Sequence, residues 1–426
     1  MPVRLPLASG RAFIVQLAFM SEFQTKILSS INNIASEEWD RLHASDYPFI
    51  QHAFLKALED NHCTGAHFGW IPKHLLLYQK AQLVAAMPLY EKHNNYGEFV
   101  FDHAWSQAWE QFQTPYYPKL VSAIPYTPAT GPRLLVTSEV DPAQRQQLRN
   151  RLWQAALTYC RQNHYSGFHL LFSEEQHERK HFTPTFQRHD IQYQWLNQGY
   201  RRFEDFLSSL APKKRKNIQR ERKAIAQSDL SIKRLNGHQA TREDWRAFSV
   251  FYEKTFVDKW STPTLNFGFF EQIGRSMPDA VLLVLAYENG RCIAGSLMLH
   301  SKHTLYGRHW GASEERKFLH FEACFYQGIE YAIEQGIQRF EPGAGGEHKI
   351  ARGFIPVTTL SAHELAPHPL EPAIARFCQQ EAELVAKDLE YLWEHSPYKD
   401  NRQLRKMAED SYYSHSYEPD SPLNSL

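Results

Sequence analysis

The sequence predicts an α/β (α+β) protein made of two related units, each a mixed sheet flanked by helices. Three observations carry that expectation. The 426 residues are about twice the usual domain length. The segment Tyr78 to Tyr90 falls over Tyr287 to Leu299 without a gap, at an offset of 209 residues, about half the chain. Each half then runs into a long amphipathic helix that leads to a further apolar strand.

The match lies in layout more than in identity. An apolar strand from His74 or Val281 meets a polar turn, and a second strand leaves it at Leu83 or Cys292. A third strand is expected from Glu98 to Asp102 in the first half and from Thr304 to Gly311 in the second. Asp141 opens a helix whose Leu148, Leu152, Ala155, Ala156 and Tyr159 recur at helical spacing, and Gly167 to Phe172 follows as a strand. In the second half the helix begins at Phe318, and the strand Ile337 to Glu341 enters a glycine-rich loop. Antiparallel strands followed by a helix and another strand are the order of the GNAT-type N-acyltransferase fold, so the expected fold is a tandem of GNAT-like domains. Residues 1–19 read as an upstream extension, 20–195 as the first domain, 196–396 as the second and 397–426 as a disordered tail poor in aliphatic residues.

Composition narrows the function. Lys+Arg and Asp+Glu balance at 47 each, so any attraction for phosphate must come from local clustering. Five cysteines without a CxxC pair read as reduced, mostly buried thiols, and no apolar run reaches the length of a membrane span, so a cytoplasmic protein is expected. His177 to His181 spells HExxH, but its flanks lack an apolar face and Pro184 cuts the segment short. No metal site is expected.

Two clusters carry chemistry. Glu341, Glu347, His348, Lys349 and Arg352 crowd around Gly343, Gly345 and Gly346, where a backbone free to take φ > 0 lets a ligand approach. Glu347 or His348 is suited to take a proton from an amine, and Lys349 and Arg352 to hold a phosphate or carboxylate. In the alternative, Lys349 and Arg352 pair with Glu341 and Glu347 and hold the loop's shape. From Lys213 to Lys223 stand seven cations and one acid in eleven residues, directly after Pro212, which suits a first helical turn. Lys213, Lys214 and Arg215 would offer cations at a helix start to phosphate oxygens, with Arg215 and Arg222 on one face and Arg220 on its neighbour. Strand alternation would place Tyr306, Arg308 and Trp310 on one face, lining a cleft or packing in a core.

As a set, Gly69 to Tyr78, Pro88 to Trp105, Tyr116 to Leu120, Pro125 to Leu135, Asn197 to Lys223, Leu305 to Ala312, Leu319 to Ile333 and Pro342 to Pro356 resemble the bacterial FemAB-like predicted N-acyltransferases, labelled peptidoglycan biosynthesis or recognition proteins. The resemblance implies transfer of an acyl or aminoacyl group to an amine acceptor, such as a cell-wall precursor, with the second half doing the chemistry. The donor is expected to be a co-substrate, acyl-CoA or aminoacyl-tRNA, with no resident cofactor. Where ordinary GNAT enzymes carry a glycine-rich pyrophosphate loop, this chain has Ala312 to Lys317, which argues against the usual grip on acetyl-CoA. The stretch with Tyr252, Lys259 and Trp260 resembles a substrate-side loop of the family. The rival expectation is a non-catalytic module that recognises a phosphorylated or cell-wall ligand.

Overall fold

The computed structural model describes residues 23–43, 45–174 and 184–413, with side chains to residue 409. The expected extension, the HExxH segment and residues 414–426 lie outside it. Among the described residues fifteen strands follow in chain order. The first half holds β1 (Phe23–Leu28), β2 (Trp70–Pro72), β3 (His74–Gln79), β4 (Gln82–Met87), β5 (Tyr90–Lys92), β6 (Lys119–Ser122), β7 (Leu135–Val136), β8 (Gly167–Leu171) and β9 (Phe186–Leu196). The second holds β10 (Leu230–Leu235), β11 (Val281–Glu288), β12 (Arg291–His300), β13 (Thr304–Ala312), β14 (Arg339–Glu341) and β15 (Ile355–Leu365).

The repeated hairpins match in detail. Gln79 pairs with Gln82 and Glu288 with Arg291, and each turn has two residues at positive φ: Lys80 and Ala81, then Asn289 and Gly290. That turn twists in the sense of the flanking strands. The ladder then slips between Leu77 and Tyr78 in one hairpin and between Ala286 and Tyr287 in the other, again 209 residues apart. β12 runs unbroken to His300, whereas Pro88 divides its counterpart into β4 and β5, which belong to different sheets.

The first half's third strand is β6, not the expected stretch from Glu98 to Asp102. Glu98 and Asp102 instead turn inward onto Lys119 of β6, with Glu98 Oε2 2.8 Å from Nζ, and all three side chains are buried. An alternating strand would point Glu98 and Asp102 to one face but could not bring both carboxylates to one ammonium.

The long sheet has the order β10-β11-β12-β13-β14-β9-β15-β8-β6-β5-β2. At its centre the halves exchange strands. β14 pairs with β9 of the first half, β8 pairs with β15 of the second, and β9 and β15 run antiparallel from Gln194↔Ile355 to Phe186↔His363. Trp195, Phe340, Phe354 and Ile355 are fully buried around this seam, each side chain contributing about 1.5–3 kcal/mol by leaving water.

The helices follow their sequence signals. Asp141 Oδ1 accepts from Gln144 N at 2.8 Å and caps Pro142–Gln162, which buries Leu148, Leu152 and Ala156. Pro212–Ala226 is a helix as the basic run implied. Leu319 to Glu334 is helical with a π-helical segment at Glu322–Tyr326. The expected disordered tail is corrected over its first part: Arg402–Tyr413 is a helix, Leu404 and Ala408 are buried, and the buried Tyr398 donates to Gly353 O at 2.6 Å. These few apolar anchors suffice because they land on the second half's core.

Candidate active site

β13 and β14 are paired only from Thr304↔Arg339 to Tyr306↔Glu341. Beyond that point β13 continues, while the chain leaving β14 swings aside through Gly343, Gly345 and Gly346, all at positive φ, into a 3-10 turn, Glu347–Arg352. Past Tyr306 and Glu341 the two segments no longer pair, and this unpaired wedge is the candidate site. Lys349 is buried and donates to Gly343 O at 2.7 Å and Ala344 O at 3.1 Å, clamping the glycine loop. Burial pushes its ammonium down to about 8. Arg352 donates to His348 O at 2.9 Å and to Glu221 Oε1 at 3.0 Å, with its guanidinium 3.3 Å from the centre of the Phe321 ring. Glu221, the one acid of the basic run, also accepts from Tyr326 OH. Both cations expected to hold a ligand are therefore engaged within the protein. Their partners are also not the expected ones, since Glu347 is exposed and the buried Glu341 pairs with Arg339 at 3.3 Å.

Two imidazoles face the wedge. The exposed His348 ring lies 6.2 Å from that of His320 and 5.8 Å from those of Phe321 and Phe325. His320, at the start of the Leu319 helix, also packs edge-on to Trp310 at 5.3 Å. Burial, then the neighbouring His348, Arg352, Lys349 and Lys259, hold His320 down to about 4. Burial, Arg352 and Lys349 lower His348 below the usual imidazole value. Both rings are thus held toward the neutral form, which can take a proton, in surroundings that favour an anionic partner. His320 was not a sequence candidate. Its only signal was its place at the start of a helix that follows an aromatic strand.

Arg308 is corrected by a β-bulge. Leu297 pairs with His309 and Met298 with Gly307, so Arg308 is the extra residue and alternation fails through it. Tyr306 turns into the core, edge-on to Tyr47 and Phe49, and is only 3% exposed. Arg308 donates to Tyr126 O and, at 3.3 Å, to Thr127 Oγ1 of the first half, and burial pushes it down to about 10. Of the three, Trp310 alone meets one of the two imidazoles, edge-on to His320.

The basic helix lies beside the site because Glu221, buried with Ile218 and Ile225, ties it to Arg352. Arg222 is committed to Glu322 at 3.1 Å and Glu330 at 2.9 Å. Lys213, Lys214, Arg215 and Arg220 form no ion pair among the described residues. In the segment from Ala312 to Lys317, by contrast, Arg316 is held by Glu288 and Glu314, each at 2.7 Å. Trp260 stands on the turn after helix Arg242–Val257 and is 98% exposed.

Among solved structures, the chain resembles FemX, with a TM-score of 0.50 and 11% identity over 80% of this chain and 98% of that one. It also resembles a tandem GNAT protein from the clavulanic acid biosynthesis pathway, with a TM-score of 0.41 and 9% identity over 81% and 99% of the two chains. At 11% identity the likeness to FemX is one of fold. No curated protein sequence matches the chain. The FemAB-like family model, described as peptidoglycan biosynthesis/recognition, matches residues 30–400. Since that match spans most of the sequence, the chain belongs to the FemAB-like peptidoglycan biosynthesis/recognition family.

Proposed function

We propose that the protein is an N-acyltransferase that moves an aminoacyl group from a charged RNA to an amine on a cell-wall precursor. The observation that carries this is the pair of uncharged imidazoles, His320 and His348, walled by Trp310, Phe321 and Phe325 beside a helix with unpaired cations. The amine nitrogen attacks the ester carbonyl, a C–N bond forms and the bond between the carbonyl carbon and the ribose oxygen breaks. His348 takes the proton that the nitrogen sheds and returns it to the departing ribose oxygen. His320, more enclosed, keeps the site polar without adding charge.

The charge pattern favours RNA over acyl-CoA as donor. A diphosphate placed along Ala312 to Lys317 would meet Glu314 and an arginine already neutralised by Glu288 and Glu314. Lys213, Lys214, Arg215 and Arg220, without an ion pair among the described residues, can meet a run of phosphates. The test incubates purified protein and a precursor peptide bearing a free amine with aminoacyl-tRNA or with acyl-CoA, and reads product by mass. Product from aminoacyl-tRNA, lost in His348→Ala, is expected. Turnover with acyl-CoA alone would overturn the donor assignment, and undiminished turnover in His348→Ala, His320→Ala and Glu347→Ala would overturn the site.

A further inference from the structure

Trp260 is the most exposed large apolar side chain, and nothing among the described residues covers it. Its backbone sits at φ 54°, a conformation that bulky residues avoid, at a cost of about 1–3 kcal/mol. The turn that carries it is firmly built. Trp260 N donates to Val257 O at 3.0 Å and Ser261 N to Phe256 O at 2.9 Å. From the other half, Tyr96 OH bonds Ser261 Oγ at 2.9 Å and Thr262 O at 3.1 Å. The indole is therefore held out to solvent on a mount fixed by both halves, with little order left to impose when a ligand arrives.

Helix Arg242–Val257 passes beside the end of β13, where Thr255 Oγ1 donates to Trp310 O at 3.2 Å. Lys259, next to Trp260, lies near enough to His320 to help depress its pKa. From His320 the contacts lead to His348, 6.2 Å away, and through Arg352 to Glu221 of the basic helix at 3.0 Å, whose Lys213, Lys214, Arg215 and Arg220 form no ion pair among the described residues. An exposed aromatic plane at one end and free cations at the other match a nucleotide chain, with a base on the indole and phosphates along the helix. A bilayer fits less well, since only Val257 joins Trp260 as an exposed apolar residue on this turn, beside the charged Lys254–Asp258 pair.

We infer that Trp260 is the stacking platform for the terminal purine of the acyl donor, an inference that rests on the acyl-transfer reading above. Both donors end in adenosine, so the shared ligand chemistry is an unpaired purine and the experiment separates its sources. Binding is measured by anisotropy for three probes: an RNA hairpin with a single-stranded 3′ end, the same hairpin with a blunt end, and CoA. Sedimentation with anionic vesicles forms a fourth arm. Wild type should prefer the hairpin with the single-stranded end. Trp260→Ala should weaken that binding about tenfold or more and erase the preference, while Trp260→Phe should restore most of it. Lys213→Ala/Lys214→Ala should weaken both hairpins alike and flatten the salt dependence.

Loss of CoA binding in Trp260→Ala, with no hairpin binding by wild type, would keep the stacking role and overturn the RNA donor. Wild type that transfers from charged RNA, with Trp260→Ala equal to it in affinity and KM, would overturn the stacking role and leave the acyltransferase reading intact. Vesicle binding lost in Trp260→Ala with RNA binding unchanged would overturn it in favour of a membrane contact. Failure of wild type to bind any nucleotide probe would defeat both readings together. Because the side chain touches solvent almost everywhere, the substitution leaves the fold in place.

Discussion

Glu221→Gln tests whether the basic helix and the glycine loop act as one body. Glu221 is 7% exposed and Arg352 9%, and Glu221 accepts both Arg352 Nη2 at 3.0 Å and Tyr326 OH. The amide keeps the shape and removes the charge. Breaking a buried ion pair from one side costs about 3–5 kcal/mol, because the other charge stays buried without a partner. Here Arg352 retains His348 O and the face of Phe321, which brings the expected loss to about 2–3 kcal/mol. The assay is a double-mutant cycle by urea denaturation: Glu221→Gln, Arg352→Met and both together. The double variant should cost little more than either single one, a coupling of about 2 kcal/mol. The donor's KM should rise in Glu221→Gln as the helix loosens from the turn. Additive losses within about 0.5 kcal/mol would show that the two residues do not form a unit.

Three further outcomes follow from the same geometry. His348→Ala should lower kcat about a hundredfold or more, and the acidic limb of the wild-type rate profile should lie below the usual imidazole range because burial, Arg352 and Lys349 lower this group; a limb at or above that range would contradict the site. His169 and His363 are buried opposite one another across β8 and β15, their Nδ1 atoms 2.6 Å apart, and both are depressed well below 6.5. The unfolded chain binds protons that the folded pair refuses, so this stability is full above about pH 6.5 and falls with acid by about 1.4 kcal/mol per pH unit for each ring. The double variant His169→Phe/His363→Leu should flatten that slope between pH 6.5 and 5, and an unchanged slope would count against it. Gly353→Ala, at φ 97° with its added Cβ 2.6 Å from the Phe206 ring, should destabilise by about 1–3 kcal/mol in urea, with Phe206→Leu relieving part of the loss.

What was legible in the sequence was what local chemistry fixes. The hairpins at an offset of 209 residues share a turn and a slip because a two-residue turn at positive φ and strand alternation are set within a dozen residues. Asp141 and Pro212 mark helix starts for similarly local reasons. The glycine loop was recognisable because backbone freedom belongs to the residue itself. Partner choice was not legible. Arg222 and Arg220 are two letters apart in one basic run, yet one meets Glu322 and Glu330, about a hundred residues onward, and the other meets no acid among the described residues.

Tertiary structure alone decided that Glu221 would anchor the run, that the bulge at Arg308 would turn Tyr306 into the core and leave Trp310 in the wedge, and that His320 would stand beside His348. It also decided that β9 and β15 would cross between the halves. The physical reason is the same in each case. Periodicity states which way a side chain points from its own element, but the free energy of a buried charge or ring depends on what a distant segment brings to it.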